Sequence, residues 1–222
     1  MLPTVFECLL TPEDFLFFVS REFNTFTSML PVIHNYALTY ALGKTFNIVA
    51  ATSEPHYEEL DSYDNYATPA LPVTSPRFVT HTYNSVCSRT NTTQSSLNVP
   101  SLGRNTKMSP RSAEFEFLVF SRGGEIPRYL RIGKKSCISS IKASQLEIIS
   151  VDLHPNEAID TRVCFNLLDL SPNDIVESAD VILMYPSPVA KSMRVRSPYL
   201  KLRGKGLEFC VPIPRHLRGA FE

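Results

Sequence analysis

The sequence has no stretch near the roughly 20 consecutive apolar residues that a helix needs to cross a bilayer, so no helical membrane span is expected. Its opening, MLPTVFECLL, lacks a basic n-region and meets acidic Glu7 and Glu13, which does not read as a secretory signal. A cytoplasmic location follows. No C-x-x-C and no paired Cys/His spacing occurs among Cys8, Cys87, Cys137, Cys164 and Cys210, so a zinc site is not expected. G-x-S-x-G, the Walker A loop and G-x-G-x-x-G are all missing, and with them go the nucleophile-elbow, P-loop and dinucleotide-binding classes. His34, His56, His81, His154 and His216 have no i,i+4 partner and form no H-E-x-x-H. No cofactor is implied.

What is present is an ordinary globular composition of 222 residues, 43% hydrophobic and 20% charged, with a net charge of zero. That length suffices for a substantial core. The zero conceals blocks. Residues 1–100 hold four Lys/Arg against nine Asp/Glu, residues 101–150 nine against four, residues 151–184 one against seven, and residues 185–222 eight against two. Two basic blocks around an acidic one suit a surface with one face for a polyanion and another for a basic partner; the alternative is chance clustering on solvated faces.

Alternation in PTVFECLL (3–10) predicts a strand with Val5 and Glu7 on one side and Phe6, Cys8 and Leu10 on the other. VIHNYALTYALGK (32–44) predicts a helix opening near Pro31 and stopped by Gly43, with Asn35 and Thr39 on one narrow polar strip. RFVTHTY (77–83) and EFEFLVFS (114–121) read as strands. Residues 84–113, rich in Ser, Thr and Asn, read as a long loop. DTRVCFNLLDL (160–170) reads as a strand, and Ser171 and Asp174 offer caps for a short helix. Strands close the chain over residues 190–215, with Arg194 and Arg196 sharing one side of one strand and Lys201 and Arg203 one side of the next. Six to eight strands and one main helix give α+β: an antiparallel sheet with long loop insertions, elaborated as one domain over 1–222. A ferredoxin-like core fits it.

Two functional readings remain open on the residues. Arginines at alternating strand positions, with Tyr129 and Tyr199 beside the basic runs, suit single-stranded RNA, although no RNP1 consensus is present. RIGKK (131–135) and GKGLE (204–208) place glycine beside lysine, which either lets a phosphate backbone approach or simply makes an exposed turn. The rival is a metal-independent endoribonuclease with His34 or His81 as general base. His34 and Asn35 more often hydrogen-bond locally at a helix start.

Three stretches, VIHNYALTYALGK (32–44), VPSLGRNTKMSPRSAEFEFLVF (99–120) and IPRYLRIGKK (126–135), together with YATPA (66–70), resemble the tag-capping Cas-five family of RAMP-type proteins, in its branch from the type I-D CRISPR surveillance complex, Cascade. The likeness runs from about residue 3 to 145 and is thin beyond 150. It implies a modified ferredoxin-like (RRM-like) fold and a non-catalytic subunit for antiviral DNA targeting. Such a subunit grips the 5′ handle of the CRISPR RNA and caps the foot of the backbone filament. Its neighbours are the backbone filament subunit and the large subunit, with target DNA close by. The matched segments nominate Arg104, Lys107, Arg128, Arg131, Lys134 and Lys135 for phosphate contacts, with Arg194, Arg196, Lys201, Arg203 and Lys205 as a second group.

Overall fold

A computed structural model describes residues 2–23, 26–46, 57–85, 101–123, 125–134 and 136–222. Among these the chain forms seventeen strands and one α-helix. The first half holds β1 (Thr4–Pro12), β2 (Arg21–Phe23), β3 (Phe26–Ser28), α1 (Asn35–Phe46), β4 (Asn65–Ala67), β5 (Leu71–Pro72), β6 (Phe78–Ser85) and β7 (Ser101–Met108). The second holds β8 (Phe115–Ser121), β9 (Tyr129–Ile132), β10 (Cys137–Gln145), β11 (Glu147–Asp152), β12 (Ile159–Thr161), β13 (Phe165–Asn166), β14 (Ile175–Ile182), β15 (Val189–Arg196), β16 (Tyr199–Gly204) and β17 (Leu207–Pro212). Turns of 3-10 helix lie at Tyr57–Ser62, Leu167–Asp169 and Arg215–Ala220. The architecture is mostly antiparallel sheet with few helices; the pairing of β3 with β7 is parallel.

β1 is the centre of the main sheet, whose order is β4-β8-β1-β10-β9 with β5 also on β8. Its alternation works as the sequence predicts. Cys8 and Leu10 enter a core with Phe115, Phe117 and Val119 of β8, while Val5 on the opposite side joins Leu118 and Phe120 in a second core. The first core is closed by Leu38, Ala41 and Leu42 of α1. The second is closed by the C-terminal strands through Val195, Leu200, Leu202 and Val211. Each fully buried Phe or Leu is worth about 1.5–3 kcal/mol of removed apolar surface, so the sheet is held from both faces. Tyr36 and Tyr40 of α1 pack on the second core, which wedges the helix between the two.

Several elements differ from the sequence reading. α1 begins at Asn35 rather than Val32, because Ile33 is bridged to Ala70 by two backbone hydrogen bonds of 3.1 and 2.8 Å. It also runs past Gly43, whose hydrogen faces the Tyr63 ring; a Cβ there would sit 2.4 Å from Tyr63 Cε2. That glycine is a close-packing residue, not a stop. Ser101–Met108, expected within the long loop, is a strand paired residue for residue with β6, from Phe78↔Met108 to Ser85↔Ser101; residues 86–100 of that loop lie outside the described residues. The 160–170 strand is broken into β12, β13 and a 3-10 turn. Ser171 and Asp174 close a turn into β14, through Ser171 N–H to Asp174 Oδ2 at 2.7 Å, rather than capping a helix.

The segment after β1 ties the basic end of the molecule together. Leu16 exchanges backbone bonds of 3.1 and 2.9 Å with Met108 at the end of β7, and Phe17 O accepts from Lys134 N–H at 2.9 Å in the β9–β10 turn. Gly133 makes this possible, with φ of +81° and its Cα so close that a Cβ would lie 2.9 Å from Phe17 O. The glycine of RIGKK therefore serves chain packing. Gly206 has a similar φ of +79° but open space around it. Gly133→Ala is expected to cost about 2 kcal/mol or more in urea unfolding, and Gly206→Ala only about 1 kcal/mol from the left-handed backbone. Equal losses would contradict the packing role.

Candidate nucleic-acid interface

His34 and Asn35 sit inside the protein, with 6% and 0% of their surface exposed. Asn35 Nδ2 donates to Tyr66 Oη at 2.9 Å and to Asp169 Oδ2 at 3.2 Å, and its Oδ1 accepts from Asn166 Nδ2 at 3.2 Å. Tyr66 Oη donates to Asp169 Oδ1 at 2.7 Å. Ser187 Oγ donates to Asn166 Oδ1 at 2.8 Å, which leaves His34 Nε2–H to donate to Ser187 O and Oγ at 3.2 and 3.0 Å. His34 Nδ1 accepts from Tyr36 N–H at 3.3 Å. Thr39, one turn after Asn35, accepts from Ala67 N–H at 3.1 Å. The polar strip of the helix thus joins the helix start to the YATPA segment and to the residues around β13. Buried polar groups must be paired in this way or cost several kcal/mol. The alternatives for His34–Asn35 resolve to structural bonding.

The basic residues fall into two sets with different electrostatics. Arg128 and Lys134 are exposed beside β9, and Arg131 projects from β9 on the same side as Tyr129, which is 62% exposed. Arg131 Nη1 donates weakly to Ser136 O at 3.4 Å. Arg104 and Lys107 lie on β7 three residues apart, so they leave opposite faces of that strand; Arg104 is exposed and Lys107 half-buried. Lys135 lies outside the described residues. Among the described residues no carboxylate forms an ion pair with Arg104, Lys107, Arg128, Arg131 or Lys134.

The second set is largely spent. Arg194 pairs with Asp160 and Glu177, each at 2.8 Å. Lys201 reaches Glu208 at 2.7 Å, and Arg203 reaches Glu208 at 2.6 Å and Glu147 at 3.1 Å. Lys205 holds Glu7 at 2.7 Å. Hydrogen bonds from Lys201 and then Arg203 hold the Glu208 carboxyl below the usual carboxylate range. Arg196 is exposed and makes no ion pair among the described residues. Individually such exposed pairs are screened by solvent and add little to stability. Collectively they cancel the field that the C-terminal arginines and lysines would project. Tyr199 is half-buried, and burial, followed by the nearby Asp152 charge, pushes its hydroxyl pKa up.

Of the uncompensated set, Arg128 lines a groove. This open groove of about 610 Å³ lies where the pairing of β9 with β10 ends, and is lined by Glu13, Arg128, Tyr129, Ser140 and Lys142. Lys142 is exposed on β10 and was not singled out by sequence; its signal, alternation with Ser140 and Ile138, is visible only once 137–145 is known as a strand. Glu13 is neutralised by Arg111 at 2.6 Å and accepts from Ser140 Oγ at 2.7 Å. His81, the other candidate base, is half-buried on β6 with its ring edge-on to Phe15 at 5.1 Å. Among the described residues no group of three or more His, Cys, Asp or Glu could hold a metal ion, and no helix is long and apolar enough to cross a membrane. Burial pushes the Cys8 and Cys164 thiols up to about 12, so they behave as core hydrophobes.

Fold and site together define a mostly antiparallel β protein with an uncompensated basic edge beside its central sheet. The family model for the type I-D CRISPR-associated protein Cas5/Csc1 matches residues 3–220, and the chain belongs to that family. The match takes in the C-terminal strands, where the sequence likeness was thin. A search of curated proteins finds no significant match. Among solved structures the chain is similar to one in the cryo-EM structure of the type III-B Cmr-beta bound to cognate target RNA and AMPPnP, state 1. That similarity has 10% identity and a TM-score of 0.49, covering 85% of this chain and 86% of that one.

Burial pushes the His34 pKa down to about 4, against a hydrogen bond to Ser187 that favours the charged ring. The unfolded chain therefore binds more protons than the folded one between pH 6.5 and pH 4. Stability from this group is complete above about pH 6.5 and falls with pH by up to about 1.4 kcal/mol per unit in that window. Urea unfolding at a series of pH values should show this fall in the wild type. His34→Gln should flatten it, and an unchanged profile in the variant would contradict the assignment.

Proposed function

We propose that this chain is a non-catalytic RNA-binding subunit of a type I-D CRISPR surveillance complex, gripping the 5′ handle of the CRISPR RNA and capping the foot of the backbone filament. In that place it adjoins the large subunit and the backbone filament subunit, near the target DNA. One observation carries the reading. Among the described residues Arg104, Lys107, Arg128, Arg131 and Lys134 have no carboxylate partner, whereas Arg194, Lys201, Arg203 and Lys205 of the C-terminal strands are paired within the chain. Unpaired Lys and Arg at a strand edge are what a phosphate backbone needs, since each contact releases a counterion.

The sheet supports the same assignment. If β4 and β5 are taken as one interrupted strand, the order β4-β8-β1-β10, antiparallel throughout, corresponds to strands 2-3-1-4 of a ferredoxin-like sheet. α1 occupies the crossover after the first strand, and a β9 hairpin stands where the second helix would run. We read the whole chain, 1–222, as one elaborated domain on this plan. The endoribonuclease reading loses its first candidate base, because His34 is buried with both ring nitrogens engaged. Cleavage of a repeat hairpin in EDTA that His81→Ala abolishes would restore it.

Arg131→Ala should weaken binding of a CRISPR RNA 5′ handle and lower the log–log salt slope by about one. Arg203→Ala, which removes a guanidinium already shared by two carboxylates, should leave that slope within error. The measurement is a salt titration by fluorescence anisotropy. Identical slopes for wild type and Arg131→Ala would remove that residue from the interface.

A further inference from the structure

We propose that the groove at the end of the β9–β10 pairing is a single-nucleotide subsite. An unpaired RNA base stacks on Tyr129, and its flanking phosphates are held by Arg128 and Lys142. The inference rests on the RNA-binding reading and adds to it a residue-level site with its own ligand, one unstacked nucleotide.

Four observations converge on it. Tyr129 is a large ring left 62% exposed on the edge strand β9, where it lines the groove. The ring faces solvent because its strand alternates, with Leu130 and Ile132 buried on the other side and Arg131 exposed beside it. The groove next to it carries two cations, Arg128 and Lys142, that make no ion pair among the described residues. Its one carboxylate, Glu13, is already held by Arg111 and Ser140 and presents little net negative charge to a phosphate. The contrast with Tyr199 is informative, because that ring is half-buried. A π-face flanked by two free cations is the combination that holds single strands: the ring accepts any base, and the cations follow the backbone. A paired helix does not fit, because its bases offer no face to stack on.

The test separates stacking from charge. The full chain is titrated with a short fluorescein-labelled single-stranded RNA of mixed sequence, at several salt concentrations, as wild type, Tyr129→Phe, Tyr129→Ala, Lys142→Ala and Arg131→Ala. Tyr129→Phe is expected to bind like the wild type. Tyr129→Ala is expected to bind at least about fivefold more weakly with an unchanged salt slope, since stacking releases no counterions. Lys142→Ala is expected to lower the slope by about one. A duplex RNA of the same sequence should not respond to Tyr129→Ala. If Tyr129→Ala binds as tightly as wild type while Arg131→Ala is weakened, RNA binding stands and the stacking subsite is wrong. If neither Arg131→Ala nor Lys142→Ala changes affinity or slope, the RNA-binding reading itself falls.

Discussion

A carboxylate buried between the two cores organises this protein. Asp169 is 5% exposed and lies a hundred residues from Tyr66, which donates to it, and further still from Asn35, which donates to its other oxygen. A charge taken out of water is tolerable only when its lone pairs are met by donors. Those donors come from the first turn of α1 and from β4, so the arrangement closes only when helix, central sheet and C-terminal strands are all in place. Asn166 and Ser187 extend the network to His34. Removing one member strands the rest, a loss of about 1–3 kcal/mol for each orphaned group. The histidine and asparagine at the helix entrance are therefore a joint of the fold.

One face of the sheet is committed to α1 and part of the other to the C-terminal strands, while Tyr129, Arg131, Ile138 and Lys142 of β9 and β10 stay exposed. Charge is distributed accordingly. The carboxylates of the acidic stretch and of β11, β14 and β17 are matched against the C-terminal arginines and lysines, so those two blocks largely cancel. In the first basic block Arg111 is matched by Glu13, while Arg104, Lys107, Arg128, Arg131, Lys134 and Lys142 have no carboxylate partner among the described residues. A net charge of zero thus coexists with an uneven surface, because compensation is denser on one side than on the other.

Much of this was legible in sequence where the period was clear. The alternation of 3–10 and 114–121 gives the two central strands and their faces, and the i,i+4 pair Asn35–Thr39 marks the buried polar strip. The C-terminal strands were legible too, but not their neutralisation: cross-strand partners such as Glu208 for Arg203 depend on register, which a local pattern does not carry. SLGRNTKM reads as loop because its polar composition hides a strand stabilised by pairing with β6 along its whole length. Strands of two or three residues, such as β4, β5 and β13, are too short to show any period. Gly43 looks like a helix stop, and Gly133 like a phosphate-approach or exposed-turn residue, yet each is required by a neighbour, Tyr63 and Phe17, that the local pattern does not reveal.

The central claim is that RNA lies on the uncompensated edge. It is tested most directly by ultraviolet crosslinking of the tagged chain to the RNA it carries from its native cell, with the adducts mapped by mass spectrometry. The account predicts adducts on peptides spanning residues 126–134 and 137–145, with RNA sharing one uniform 5′ end. Adducts confined to residues 194–205, or purification of the chain with protein partners and no RNA, would contradict it.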